Sequence, residues 1–411
     1  MTRFRFYEVP ATIAPNEPTG GQVQFDSIPG TDIMARKRTS LTRQRIRREA
    51  EMITAGLLLQ CNQSPIDITA SNDVKSRQDE AACLAEGIYG SDGCTLRAAA
   101  RDILALQGIE PPGEVGRMII AAMSTSVGGE VFDNVVNRSA MEQYRVGAQS
   151  LYGWATFKTD IADFKANKRV RVGVPDSLEK QARGQEAGHL SFDVIGAETY
   201  RVHRYTDQFR ADEQDLIDDD IGLLATIGTQ LGKAAALTFM NLAYAELLGN
   251  RTLSDGTAWF HADHGNLNTP APLSASSLGT AIANMANQTE NGQVLDLRPG
   301  YLIAPWELDN TVRGVLRDRE IDGWSDVQVR CDARLSQGVK DPDTGNTYAG
   351  SESTWFLAAK NVPILEIGTR TPEPVIRAFE LDQGEWGRAW DVHWDIGVKA
   401  LDYRGISKNV A

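Results

Sequence analysis

His261 and His264 stand three positions apart in the run FHADHGNL, with Asp263 between them and Asp255 shortly upstream. Imidazole and carboxylate groups are the ligands of zinc hydrolases, where the metal activates a bound water. Such enzymes usually set two histidines on one helical turn with a general base beside them. Here the flanking sequences, LSDG and GNLNTP, form turns. His261, Asp263, His264 and Asn266 are therefore expected to cap backbone groups in a structural turn, with no metal bound.

Asp218, Asp219 and Asp220 form a second acidic group. Hard cations take carboxylates, but three consecutive side chains at a helix start point in different directions. They are expected to cap the helix that follows, where free N–H groups and the positive dipole end favour carboxylates. No GxSxG elbow, no GxxxxGK[ST] phosphate loop and no GxGxxG after a strand occurs. The four cysteines (Cys61, Cys83, Cys94, Cys331) form neither a zinc pattern nor a disulfide framework. No cofactor is expected; the missing motifs lower the expectation of an enzyme without excluding one.

The elements around these residues are unusual in length. A helix is expected from the Asp218–Asp220 run to about Leu248, with Leu224, Ile227, Leu231, Ala235, Thr238 and Leu242 on one stripe and Gly249–Asn250 at its end. At about 1.5 Å per residue it would span on the order of 45 Å. Before it, Val170, Val172 and Val174 alternate with Arg169, Arg171 and Gly173, and Leu190, Phe192 and Val194 alternate with polar residues. From Phe164 onward this predicts a long hairpin, with Tyr200–Tyr205 continuing extended. Its tip, PDSLEKQARGQEAGH, is hydrophilic and carries Ser177, Glu179, Lys180, Arg183 and Glu186. Helices are expected within Asp79–Leu106, broken at GIYGSDG, and at about Val115–Met123 and Val131–Arg145, with a boundary at Pro111–Gly113. Farther on, Tyr301–Ala304, Trp355–Ala358 and Val362–Ile367 read as strands. The clearest strand is Trp390–Val398, where Trp, Val, Trp, Ile and Val alternate with polar residues.

The 411-residue chain carries a net charge of −13. That argues against a dedicated nucleic-acid binder, which needs basic surface. No apolar run is long enough for a membrane span, and the first residues lack a secretory core. Residues 1–30 read as a mobile arm rich in Pro and Gly. The next helix is strongly basic, with seven Lys or Arg between Arg36 and Arg48. It is either a solvated face or an electrostatic contact with nucleic acid or an acidic neighbouring subunit.

The order of helix pair, charged hairpin, acidic helix start, long helix and FHADHGNL resembles the major capsid proteins of tailed bacteriophages. Mu-like head subunits, including those fused to a prohead protease, are the most similar. The phrases GRMIIAAMSTS, VFDNVVNRSAMEQY, LIDDDIG, FHADHGNL and RPGYLIAPWELD carry the resemblance. It implies an α+β HK97-type capsid fold. Residues 1–112 would be an N-terminal arm or scaffold-like helical region, too short for a protease and without a histidine. Residues 113–411 would be the capsid domain: an extended E-loop over about 164–209, a spine helix over about 216–248, an axial domain over about 274–371, and peripheral-domain strands over 372–411. The hairpin tip would make assembly contacts.

The implied function is self-assembly into hexamers and pentamers of an icosahedral shell around double-stranded DNA. The implied partners are portal, scaffold, maturation protease or decoration proteins, with no membrane. The particle would be a virion assembled in the host bacterial cytoplasm. Two rivals are an encapsulin-like compartment shell and a metal-dependent hydrolase using His261, Asp263 and His264.

Overall fold

The computed structural model describes residues 30–61, 63–67, 70–91, 93–148, 151, 153–173, 194–212, 223–290, 292–320, 327–380 and 387–410. By its contacts the chain divides into two units, Met1–Arg48 and Glu49–Ala411. Of the first, only the start of helix α1 (Gly30–Gln60) is described. Arg43, Arg45, Arg47 and Arg48 are exposed there. The expected arm before residue 30 lies outside the described residues.

In the second unit, α2 (Asn72–Tyr89), α3 (Leu96–Leu106), α4 (Val115–Met123) and α5 (Ser126–Gly147) follow in turn. Thr95 caps α3 by accepting from the Ala98 N–H, and Leu96, Ala99, Ala100, Ile103 and Leu104 are buried at helical spacing. Helix α5 starts five residues earlier than its apolar pattern suggests, because Thr125 caps it and Gly128 packs on the preceding helix. A Cβ at Gly128 would lie 1.9 Å from the Ala122 carbonyl oxygen. The Pro111–Gly113 break does not separate cores: Ile103 and Phe132 share one apolar cluster.

Strands β1 (Ala155–Lys158), β2 (Asn167–Val172), β3 (Val194–Tyr200) and β4 (His203–Asp212) precede the long helix α6, described over Leu223–Gly249. Strands β2 and β3 pair antiparallel as a hairpin stem. The expected hairpin continued to about 209, but its pairing ends at Tyr200. After Arg201 and Val202, the ten residues His203–Asp212 turn away and join the main sheet instead. Leu190 and Phe192 lie outside the described residues.

Then come α7 (Ala275–Ala286), β5 (Thr289–Glu290), β6 (Gln293–Val294), β7 (Pro299–Ala304), α8 (Asp309–Glu320), β8 (Gln328–Cys331), α9 (Arg334–Gln337), β9 (Val339–Lys340) and β10 (Thr347–Tyr348). The last strands are β11 (Trp355–Ala359), β12 (Leu365–Thr369), β13 (Val375–Glu380), β14 (Gly387–Ala400) and β15 (Ile406–Asn409). Two sheets organise these elements. One has the order β1-β12-β14-β13, with β4 also paired to β14; the other runs β15-β11-β7-β8.

The first sheet carries α5 and α6 on one face. Trp390, Val392, Trp394 and Ile396 point there, and the Trp394 ring meets Tyr144 at 5.0 Å and Phe239 at 5.2 Å. The other face of β14 is not the solvated face its alternation suggests, since His393 and Asp395 are buried as well. Arg204 and Arg370 cover Asp395, and both lie over the Phe164 ring.

Helices α5 and α6 approach so closely that only small residues fit. A Cβ at Gly232 would lie 2.1 Å from the Ala140 carbonyl oxygen, and one at Gly228 would lie 2.5 Å from that of Val136.

A second apolar core joins α7 (Leu278, Ile282, Met285) to Leu302, Val312 and β11. Strand β11 is buried along its whole length. Trp355, Leu357 and Ala359 face the second core, while Phe356 and Ala358 face the first. The range 274–371 therefore does not pack as one lobe, because Leu365 and Ile367 belong to the first core. The terminal strands also divide: β13 and β14 lie in the first sheet, whereas β15 pairs with β11 in the second.

Candidate functional site

Helix α6 ends at Gly249, and Asn250 follows in a left-handed conformation with φ 46°. Asparagine tolerates that conformation better than most residues. Its side chain accepts from the Phe260 N–H at 2.6 Å and donates to the Phe260 carbonyl at 3.2 Å. This closes a ten-residue loop at its neck. Fully buried Asn266 closes a second ring. Its Oδ1 accepts from His261 N–H at 3.0 Å, and its amide donates to the carbonyls of Trp259 at 2.7 Å and Tyr403 at 3.3 Å.

The two histidines serve the same turn. His261 Nδ1 accepts from the Asp263 N–H at 3.2 Å. His264 has Nδ1 3.1 Å from the Trp259 carbonyl and Nε2 3.0 Å from an Asp255 carboxylate oxygen. Its ring stacks on Tyr403 at 4.0 Å, and the Arg171 guanidinium lies over the same tyrosine ring at 4.7 Å. A metal ligand must present a free lone pair, and both His264 nitrogens face other partners. Among the described residues, no group of three or more His, Cys, Asp or Glu could hold a metal ion.

Arg171 connects this turn to the hairpin stem, and the stem is anchored by a buried polar network. Arg169 donates to Glu366 at 2.6 Å, the Tyr200 hydroxyl donates to the same carboxylate at 2.5 Å, and Arg171 reaches Asp402 at 3.4 Å. Glu198 accepts from the Ser254 N–H at 2.7 Å and lies 3.9 Å from Lys399. Lys399 continues to Glu246 on α6 at 3.6 Å, and Arg251 bridges Glu246 at 3.2 Å to Asp341 at 2.5 Å. Removing one member of such a network strands a buried charge, so the network resists piecemeal change.

Tyr200 seats the stem. Gly368 on β12 and Gly397 on β14 are direct cross-strand partners. A Cβ at Gly368 would lie 2.3 Å from the Tyr200 hydroxyl, and one at Gly397 would lie 2.9 Å from Tyr200 Cδ2. The paired glycines leave a slot that the ring fills. Burial and the neighbouring Glu366 hold the Tyr200 hydroxyl in its protonated form.

Beside the stem lies an open cleft of about 610 Å³, lined by Val170, Val294, Leu295, Leu297 and Val362 together with Arg169, Arg171, Asp402 and Arg404. Val170 is half exposed and Val294 largely exposed. A soluble monomer rarely leaves adjoining apolar groups in water without a partner for them.

Of the residues singled out from sequence, His261, Asp263, His264 and Asn266 come together in one turn. Asp218, Asp219 and Asp220, and the tip residues Ser177, Glu179, Lys180, Arg183 and Glu186, lie outside the described residues. Sequence reasoning missed Glu198, Glu246, Glu366 and the Gly368–Gly397 pair. One signal was present: a glycine inside each of two apolar strands marks a close approach.

A family model described as "Phage capsid protein" matches residues 196–409. No curated protein matches the chain. Among solved structures, a virus-like particle from Pyrococcus furiosus is similar at 13% identity and a TM-score of 0.43, covering 67% of this chain and 98% of that one. The capsid of Ralstonia phage GP4 is similar at 11% identity and a TM-score of 0.44, covering 62% and 87%. The capsid of cyanophage P-SCSP1u is similar at 13% identity and a TM-score of 0.43, covering 63% and 86%.

Proposed function

Since this chain belongs to the phage capsid protein family, we propose that it is the major head subunit, with an HK97-type fold, of an icosahedral shell of hexamers and pentamers around double-stranded DNA. As a member of that family it is a structural shell protein and not an enzyme. The carrying observation is the reach of the family match over residues 196–409. That span holds one arm of the hairpin stem, the long helix, the second core and the terminal strands.

In this reading the hairpin is an E-loop that lies on a neighbouring subunit, and α6 is the spine of a peripheral domain. The lobe around α7, β7 and β11 is the axial domain, whose loops meet at the hexamer or pentamer centre. The tip residues 177–186 make contacts between copies, and the cleft beside the stem, with its exposed Val170 and Val294, supplies a second contact surface. The turn at His261–Asn266 and the aspartates at 218–220 have structural duties. A Mu-like head subunit is the finer reading, supported by the phrases from GRMIIAAMSTS to RPGYLIAPWELD. The acidic balance of −13 fits a container that must not adsorb the DNA entering it. Partners of this reading are a portal, with scaffold, maturation protease or decoration proteins. Assembly takes place in the host bacterial cytoplasm and ends in the virion.

Negative-stain electron microscopy of the expressed chain tests the proposal. Closed shells tens of nanometres across are expected. A protein that stays monomeric under every assembly condition overturns it. Shells purified with an enzyme inside and no nucleic acid would point to a compartment instead.

A further inference from the structure

We infer that the Trp306–Glu307 turn of one copy seats in the cleft beside the hairpin stem of the next copy around a ring, with the indole among Val170, Val294 and Val362 and the carboxylate toward Arg169. This rests on the shell reading above, because only assembly places many copies side by side.

Two exposed apolar features stand at opposite ends of one largely buried strand, β7. The cleft lies where β7 begins. Leu295 and Leu297 precede the strand, and Val362 follows β11, whose Ala359 pairs with Pro299. Trp306 lies just past the other end, in a short 3₁₀ turn, and is 57% exposed. The six residues of β7 set the two features about 20 Å apart, so Trp306 does not reach the cleft of its own copy. Tryptophan is mostly buried in folded proteins and is enriched among the anchors of interfaces, where its indole is desolvated in a pocket. Val294 is 64% exposed and Val170 50% exposed. Each copy therefore carries an apolar plug at one end of β7 and an apolar socket at the other.

A second copy fits the socket in size, charge and symmetry. At about 610 Å³ the cleft has room for an indole. Glu307, exposed beside Trp306, has no ion pair among the described residues. At the cleft, Arg171 and Arg404 are spent on Asp402. Arg169 gives its Nε to Glu366 and has no second carboxylate within 4.0 Å among the described residues, so it can take one more. A plug and a socket on different patches make a heterologous contact, and such contacts close into rings. Pairing of Trp306 with Trp306 would stop at two copies.

The test uses the full chain. A minority of copies carry a photoreactive benzophenone side chain in place of Trp306, and isotope-labelled wild-type copies make up the rest. Assembled particles are irradiated, and linked peptides are identified by mass spectrometry. Links are expected from position 306 to peptides that hold Val170, Val294 or Val362 across the isotope boundary. Links confined to single copies, to another position 306 or to other surfaces overturn the inference. Trp306→Ala should raise the concentration at which particles form about thirtyfold, as the loss of an interface anchor does. The circular dichroism and melting temperature of its unassembled subunit should stay unchanged. Val294→Glu, which puts a charge in the exposed socket, should raise that concentration similarly from the other side of the contact. Glu307→Gln should raise it about threefold at low salt and leave it unchanged at high salt. Assembly of Trp306→Ala or Val294→Glu at the wild-type concentration also overturns the inference. Wild-type chain that makes no particles at all would sink the shell reading itself, whereas particles in which position 306 links elsewhere sink only this inference.

Discussion

At the scale of single residues, Tyr200 and its slot set the clearest expectations. Gly397→Ala would place a methyl 2.3 Å from the Arg201 carbonyl oxygen, which is backbone and cannot swing aside. The expected loss is about 1–3 kcal/mol in denaturant unfolding, and an unchanged midpoint would refute the slot. Tyr200→Phe keeps the ring and removes one donor to Glu366, so a milder loss of about 1 kcal/mol is expected.

His393 gives the pH dependence at this scale. Burial lowers its pKa, and the nearby Arg377 and Arg204 guanidiniums add to the effect against Asp391 and Asp395. A base whose folded pKa lies below its unfolded value contributes full stability above the unfolded pKa, about 6.5, and loses it as pH falls below that. Asp395 is also depressed, by hydrogen bonds and charge from Arg204 and then by Arg370. For an acid the loss begins only below its unfolded value of about 3.9. Melting temperature should therefore fall between about pH 6.5 and 4 through His393, and His393→Gln should flatten that limb while leaving the more acid one. If the variant melts with the wild-type pH profile, this assignment is wrong. The HADHGN run was legible because its flanks form turns. The buried acids were not, since a Glu in YAELLG or LEIG reads like any surface Glu until its partners arrive from distant segments.

At the scale of elements, the α5–α6 pair depends on glycines at its contact. Gly232→Val should cost more than Gly232→Ala, and each more than the same changes at exposed Gly314, where a Cβ meets nothing within 4 Å. Thermal unfolding ranks the four variants, and equal effects at both sites would refute close packing. For the hairpin, deleting Ser177–Gly188 should leave a folded subunit, because the network that anchors the stem sits at residues 169–171 and 198–200. Normal closed shells from that deletion would sink the E-loop reading.

Elements with one strong period were legible: α3, α6 and β14 follow their apolar patterns. Their limits were harder to read. Val202 and the residues after it continue the extended pattern of β3, and period alone does not tell which sheet a strand joins. The buried polar face of β14 was hidden for a related reason. Alternation predicts unlike faces, but Phe164, Arg204 and Arg370 come from elsewhere to cover the second one.

At the scale of the whole molecule, the two cores share β11, so neither lobe can lose its packing without exposing the other. Calorimetry of the unassembled subunit should show one cooperative transition for residues 49–411, and Leu357→Ala, on the second core, should lower the stability of both lobes together. Two resolved transitions would contradict the shared strand. Sequence order suggested lobes made of continuous segments. The chain instead returns to each core several times, and such returns are set by strand pairing that composition does not encode. The contact division at Arg48 was likewise invisible to periodicity, because one helix crosses it, yet charge marked the place.

The ring of Tyr200 between two glycines also acts as a fulcrum. A stem gripped at its base by one aromatic ring and a few ion pairs behaves as a lever. A small rotation at the slot becomes a larger sweep farther along the strands. A bulkier residue at either glycine would therefore change where the hairpin points as well as how firmly it is held. Particles built from such subunits would differ in curvature before they differed in yield.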